Sequence, residues 1–185
     1  MKRAAIGLLG VALLASPPVA TRMEALMATH MGLQMPLLVL AGYGVGADLA
    51  TRQPAWLRDC NANGIVGTLL AAFTLAFWML PRWLDGALES PLIEVAKFLT
   101  LPLLVGVPLA MSFSRLPAVL RGFAKLNALS MLAFMGWLYL VAPNRLCNNY
   151  LLNQQAMLGW TLLAWTAALA LFWAAPTLVG RPESP

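Results

Sequence analysis

The stretch PLIEVAKFLTLPLLVGVPLAMSF, residues 91–113, decides the fold class. Past Lys97 it carries no charge. It is longer than the roughly 20 residues an α-helix needs to cross a ~30 Å hydrocarbon core. Five further apolar stretches accompany it, at residues 4–20, 23–47, 64–80, 126–142 and 155–179. The chain of 185 residues is 61% hydrophobic and only 10% charged, where a soluble domain carries about 25% charged residues. No aqueous core of this size hides so much apolar surface, so lipid is the expected solvent over much of it. Lipid cannot satisfy backbone N–H and C=O groups, so the segments are expected to be helical. The expectation is a polytopic, all-α membrane bundle of six transmembrane helices forming a single domain over residues 1–185, with a polar tail at 181–185.

Charge sets the orientation. With the N-terminus cytoplasmic, Lys2, Arg3, Arg52, Arg58, Arg115, Arg121, Lys125 and Arg181 fall inside, and only Arg22, Arg82 and Arg145 fall outside. That is a positive-inside bias, and it predicts both termini in the cytoplasm of a cell with an inner membrane. The net charge of +5 is spread through short connections, so it orients spans and does not mark a nucleic-acid surface. Residues 1–20, with Lys2 and Arg3 ahead of an apolar run ending SPPVA, read as a signal anchor, with a signal peptide as the rival. Cys60 then lies on the inner side and Cys147 on the outer side, which keeps them apart, and neither has zinc-type spacing. Trp78, Trp83, Tyr139 and Tyr150 fall at outer span ends and suit an aromatic belt. Gly42, Gly44, Gly46, Gly64 and Gly67 are expected to let helices approach closely.

The rare polar groups gather at the outer face. His30 and Gln34 lie in the second span, Arg82 and Asp85 after the third, and Glu94 and Lys97 in the first turns of the fourth. Ionisable groups at membrane depth are costly and face a bundle interior or a cavity. Glu94 and Lys97, spaced i, i+3, are placed to pair. Their function is weighed against simple mutual neutralisation. His30 is the sole histidine, within MATHMGLQM. Met23, Met27, His30 or Met31, and Gln34 share one helical stripe. Imidazole and thioether suit Cu(I), so His30, Met27 and Met31, with the thiol of Cys147 on the same side, form a candidate metal set. The plainer alternative is that methionine fills an apolar core and His30 bonds a neighbouring helix. There is no catalytic histidine partner for a serine or cysteine, no GxSxG and no phosphate-binding loop, so an enzyme is not expected.

Three segments resemble a known family. MATHMGLQMPLLVLAG, FWMLPRWLDGALESPLIEVAKFL and the DGALESP turn inside the latter resemble motifs of the CtaG-like membrane proteins that assist assembly of haem–copper cytochrome c oxidases. The resemblance runs from about residue 27 to 104. It implies a bacterial inner-membrane accessory factor, a respiratory oxidase as partner and Cu(I) at the outer face. Where family members carry further histidines, this chain has Met79 or Leu80 and the 93–98 region. Two other classes stay open beside it. One is a metal-free structural subunit of a membrane redox complex. The other is a small transporter lined by Glu94, Lys97 and Gln34.

Overall fold

The computed structural model describes residues 2–178, so the expected polar tail at 181–185 lies outside the described residues. The described residues form helices and no strand: α1 (Lys2–Leu14), α2 (Pro17–Glu24), α3 (Met27–Thr29), α4 (Met35–Leu49), α5 (Ala55–Cys60), α6 (Ile65–Trp78), α7 (Pro81–Glu89), α8 (Pro91–Thr100), α9 (Val107–Ser112), α10 (Ala118–Val141) and α11 (Leu152–Leu178). Two π-helical segments bridge these. His30–Gln34 joins α3 to α4, and Leu101–Gly106 joins α8 to α9.

Three helical stretches are long and apolar enough to cross a membrane: Pro91–Ser112, Ala118–Val141 and Leu152–Ala175. The number rises to five if each bent pair is one span. Those pairs are α1 with α2, bent by 67°, and α6 with α7, bent by 70°. Both bends coincide with proline at the start of the second helix, Pro17–Pro18 and Pro81, where the ring ends the preceding ladder. Residues 27–49 are helical throughout but carry His30, Gln34 and Asp48, which dilute their apolar character.

The exterior is broadly apolar, and a few polar and ionisable side chains are buried within an otherwise apolar core. Lys97, His30, Gln34 and Ser112 are fully buried, while Val119, Leu92, Phe73, Leu9 and Phe172 are each more than two-thirds exposed. An apolar exterior on this scale, around interior ionisable groups, is the arrangement lipid imposes.

Residues 27–49 form the centre, with α1, the 101–112 segment and α11 packed around them. Small residues set the spacing. A Cβ on Gly42 would meet the Pro102 carbonyl at 2.3 Å, and one on Gly7 would meet the Ala41 carbonyl at 2.3 Å. These backbones touch, as close helix crossings in lipid require. Asp48, at the far end of α4, accepts the Ala4 N–H at 2.9 Å and so caps α1. Helix α10 packs chiefly on α11, crossing at Gly136 and Gly159, and buries only Gly136 and Tyr139 of its own residues.

The first π segment has a local cause. In an α-helix the N–H of residue 36 would bond the Gly32 carbonyl, but Pro36 has none and its ring would clash there. The helix widens over His30–Gln34, and the indole N–H of Trp165 donates to the Gly32 carbonyl at 3.1 Å. The last helix is thereby tied to the segment that carries His30. π-helical turns recur where a side chain must be re-aimed.

Candidate functional site

The site is built around the Lys97 ammonium. Lys97 sits in the second turn of α8, and its side chain is wholly buried. Its Nζ donates to three acceptors: Glu24 Oε1 at 2.5 Å, His30 Nε2 at 3.1 Å and Gln34 Oε1 at 3.4 Å. An ammonium has three N–H donors, so this set uses them all. Glu24 ends α2, and its side chain is 12% exposed, at the rim of the bundle. Thr29 holds that turn through its hydroxyl, whose one proton is shared between the carbonyls of Met23 and Leu26.

The protons on His30 follow from its neighbours. The Tyr150 hydroxyl donates to the Glu24 carbonyl at 2.8 Å, and a carbonyl can only accept. The hydroxyl has one proton, so at its other contact, His30 Nδ1 at 2.9 Å, it must accept. His30 therefore carries its proton on Nδ1. Its Nε2 lone pair is then free to accept, and Lys97 fills it. A protonated Nε2 would point a proton at the ammonium, so the ring is held neutral. The node thus joins α2, the His30–Gln34 turn, α8 and the connection before α11. One donor is left over: Gln34 Nε2 is buried without a partner among the described residues.

A second cluster lies beside the first. The connection between α10 and α11 is stitched by Gln155, whose Oε1 accepts the Leu146 N–H at 2.8 Å and whose Nε2 donates to the Tyr139 carbonyl at 3.3 Å. Asp85 on α7 accepts the Asn148 N–H through Oδ2 at 2.8 Å, while its Oδ1 is buried and has no partner among the described residues. Asn149 Nδ2 donates to Glu89 Oε1 at 3.1 Å. Cys147 is buried at this seam and is not disulfide-bonded. Burial, and then the Asp85 carboxylate, push its thiol up to about 12, so it is protonated at neutral pH. Burial raises the Tyr150 hydroxyl as well, followed by the Glu24 charge, which keeps the hydroxyl available as the donor the node needs.

Several sequence expectations are changed here. Lys97 pairs with Glu24 rather than with Glu94, which is half-buried and acts on it only as a more distant charge. The bundle centre offers three acceptors at once, which outweighs a single i, i+3 partner. Trp78, Tyr139 and Tyr150 are interior residues and not an interfacial belt. Trp78 donates to Thr100 Oγ1 at 2.9 Å, and Trp83 is half-buried. Of the candidate metal residues, His30, Met27, Met31 and Cys147 are all buried, but the imidazole lone pair faces Lys97. Among the described residues no three His, Cys, Asp or Glu side chains group as a metal site. Gln34 and Lys97 join the node, Asp85 the neighbouring cluster, and Arg82 stays exposed on α7.

Sequence reasoning passed over Glu24 and placed Tyr150 in an aromatic belt, away from the node it joins. The signal for Glu24 was its position as the sole carboxylate within the apolar stretch 23–47, at the end of that stretch expected to lie on the same side as Lys97. Compared with protein-family models, curated proteins and solved structures, the chain matches none.

Proposed function

We propose that this chain is a non-enzymatic accessory or assembly protein of a haem–copper respiratory oxidase, set in a bacterial inner membrane as six spans with both termini cytoplasmic. The carrying observation is the closed node at Lys97. Each of its ammonium donors and both nitrogens of His30 are committed to partners within the chain. Such a node holds four segments in one geometry. That suits a protein presenting a fixed outer surface to a membrane partner, and it leaves no free base or nucleophile at its centre. The resemblance over residues 27–104 supplies the oxidase as the partner. The broad apolar faces of α10 and α11 supply surface for lipid or partner helices.

The test is purification of the tagged chain from its native membrane under mild detergent. Oxidase subunits and haem co-purifying with it are the expected result. A chain recovered alone, from membranes that contain assembled oxidase, would overturn the reading.

A second reading, Cu(I) handling, is favoured by the burial of His30, Met27 and Met31 on one short stretch. Copper reaches Nε2 only if Lys97 withdraws. Lys97→Met is then expected to retain more copper than wild type after loading under reducing conditions. Equal copper in wild type, Lys97→Met and His30→Ala removes the metal from the proposal.

A further inference from the structure

A cavity of about 510 Å³ opens between α7, the start of α8 and the connection joining α10 to α11. It sits where the 91–112 helix and α11 begin and α10 ends, which places it at the water interface of the helices that cross. Its walls carry both signs of charge. Arg82, Asp85 and Glu89 lie at i, i+3 and i+7 on α7 and so share one face. Arg82 and Glu89 are exposed, whereas Asp85 is only 8% exposed and its Oδ1 has no hydrogen-bond partner among the described residues. Ile93 and Leu146 form an apolar wall, and Trp83 adds an indole.

A buried carboxylate oxygen without a donor costs free energy until a donor arrives. The cavity therefore calls for a ligand with N–H donors at one end. Arg82 calls for an anion at the other, best a phosphate that a guanidinium can grip with two hydrogen bonds. The apolar wall calls for a hydrocarbon portion. A bare metal cation fits poorly beside a guanidinium. We propose that this cavity binds the headgroup of an ethanolamine phospholipid, with the ammonium donating to Asp85 and Glu89, the phosphate on Arg82, and the glycerol and upper acyl chains along Ile93 and Leu146. Choline lipids carry the same charges but no N–H, so they leave Asp85 unsatisfied. Glycerol lipids carry phosphate but no cation. The chemistry therefore discriminates among headgroups rather than merely favouring lipid.

The experiment is native mass spectrometry of the full chain, titrated with phosphatidylethanolamine, phosphatidylcholine or phosphatidylglycerol of identical acyl chains. The ethanolamine lipid is expected to bind about tenfold more tightly than the choline lipid, the lower end of what one charge-assisted hydrogen bond contributes. Asp85→Asn keeps an acceptor for the Asn148 N–H, and Glu89→Gln changes an exposed side chain. Both are expected to collapse the ethanolamine preference. Arg82→Gln, also exposed, is expected to weaken all three lipids together. Excess glycerophosphoethanolamine is expected to displace the lipid. Equal ethanolamine and choline binding by wild type overturns the proposal. So does an ethanolamine preference that survives Glu89→Gln and Asp85→Asn. Binding of the free headgroup with no lipid adduct overturns the lipid as its source. The probes contain no partner protein, so this outcome is separate from the fate of the oxidase reading.

Discussion

Replacing Glu24 by Gln tests the node through charge alone. Glutamine keeps an oxygen acceptor at the same place, so the hydrogen bond from Lys97 survives while the counter-charge is lost. Lys97 is fully buried, and its remaining acceptors, His30 and Gln34, are neutral. Removing one partner of a buried ion pair costs about 3–5 kcal/mol, because the other charge stays buried and uncompensated. The reverse change, Lys97→Met, should cost less. It leaves Glu24 at the bundle rim, 12% exposed, where water can reach it. What is lost there are donors to His30 and Gln34, about 1–3 kcal/mol and near the low end in a lipid-solvated bundle. Two signs follow. Glu24→Gln is more damaging than Lys97→Met, and the double variant is more stable than Glu24→Gln alone, since it no longer buries a lone ammonium. Both are read by denaturation with sodium dodecyl sulfate, following far-ultraviolet circular dichroism in mixed micelles. A double variant that falls by the sum of the two single losses would refute the reasoning, because independent losses mean the pair is not coupled.

Other outcomes follow from the same geometry. In the folded protein a maleimide should label exposed Cys60 and spare buried Cys147, which becomes reactive only on unfolding. Between pH 9.0, the ordinary value, and about 12, the unfolded Cys147 thiol loses its proton while the folded one keeps it. Stability therefore falls as pH rises through that window, and Cys147→Ser should flatten the fall in an alkaline unfolding series. For topology, Arg145→Cys, at an exposed position, should react with an impermeant reagent from outside intact cells, and Cys60 only in inverted vesicles; the opposite pattern inverts the orientation. Gly42→Leu drives a side chain into the Pro102 carbonyl and should cost several kcal/mol, roughly the scale of a severe core defect, in the same denaturation assay.

The helical class was legible in residues 91–113 and their apolar companions because lipid leaves the backbone no other choice. The close glycine crossings were legible too, since Gly42 and Gly46 have no other use in a buried helix. The bends were not. Pro17 and Pro81 mark where a ladder stops, but not the angle, 67° and 70°, at which the next helix leaves. The site was half legible. His30, Gln34 and Lys97 stand out because charge and polarity are rare there, and the structure brings all of them together. Their partner was obscured by proximity. Glu94 is three residues from Lys97, while Glu24 is 73 residues away, and only the tertiary fold shows that the lysine turns inward. Tyr139 and Tyr150 misled for a related reason: an aromatic at a span end fits an interface and a buried seam equally well until burial is known.

The order of the chain bears on how the node is made. Glu24, His30 and Gln34 all precede Lys97, so during synthesis the acceptors are in place before the cation arrives. A lysine entering lipid costs about 2.5–3.5 kcal/mol even by the mildest scales. Here it enters beside a waiting carboxylate, imidazole and amide. Tyr150 emerges later and locks His30 from the other side. A truncated chain ending shortly after residue 113 is therefore expected already to hold Lys97 on Glu24, His30 and Gln34.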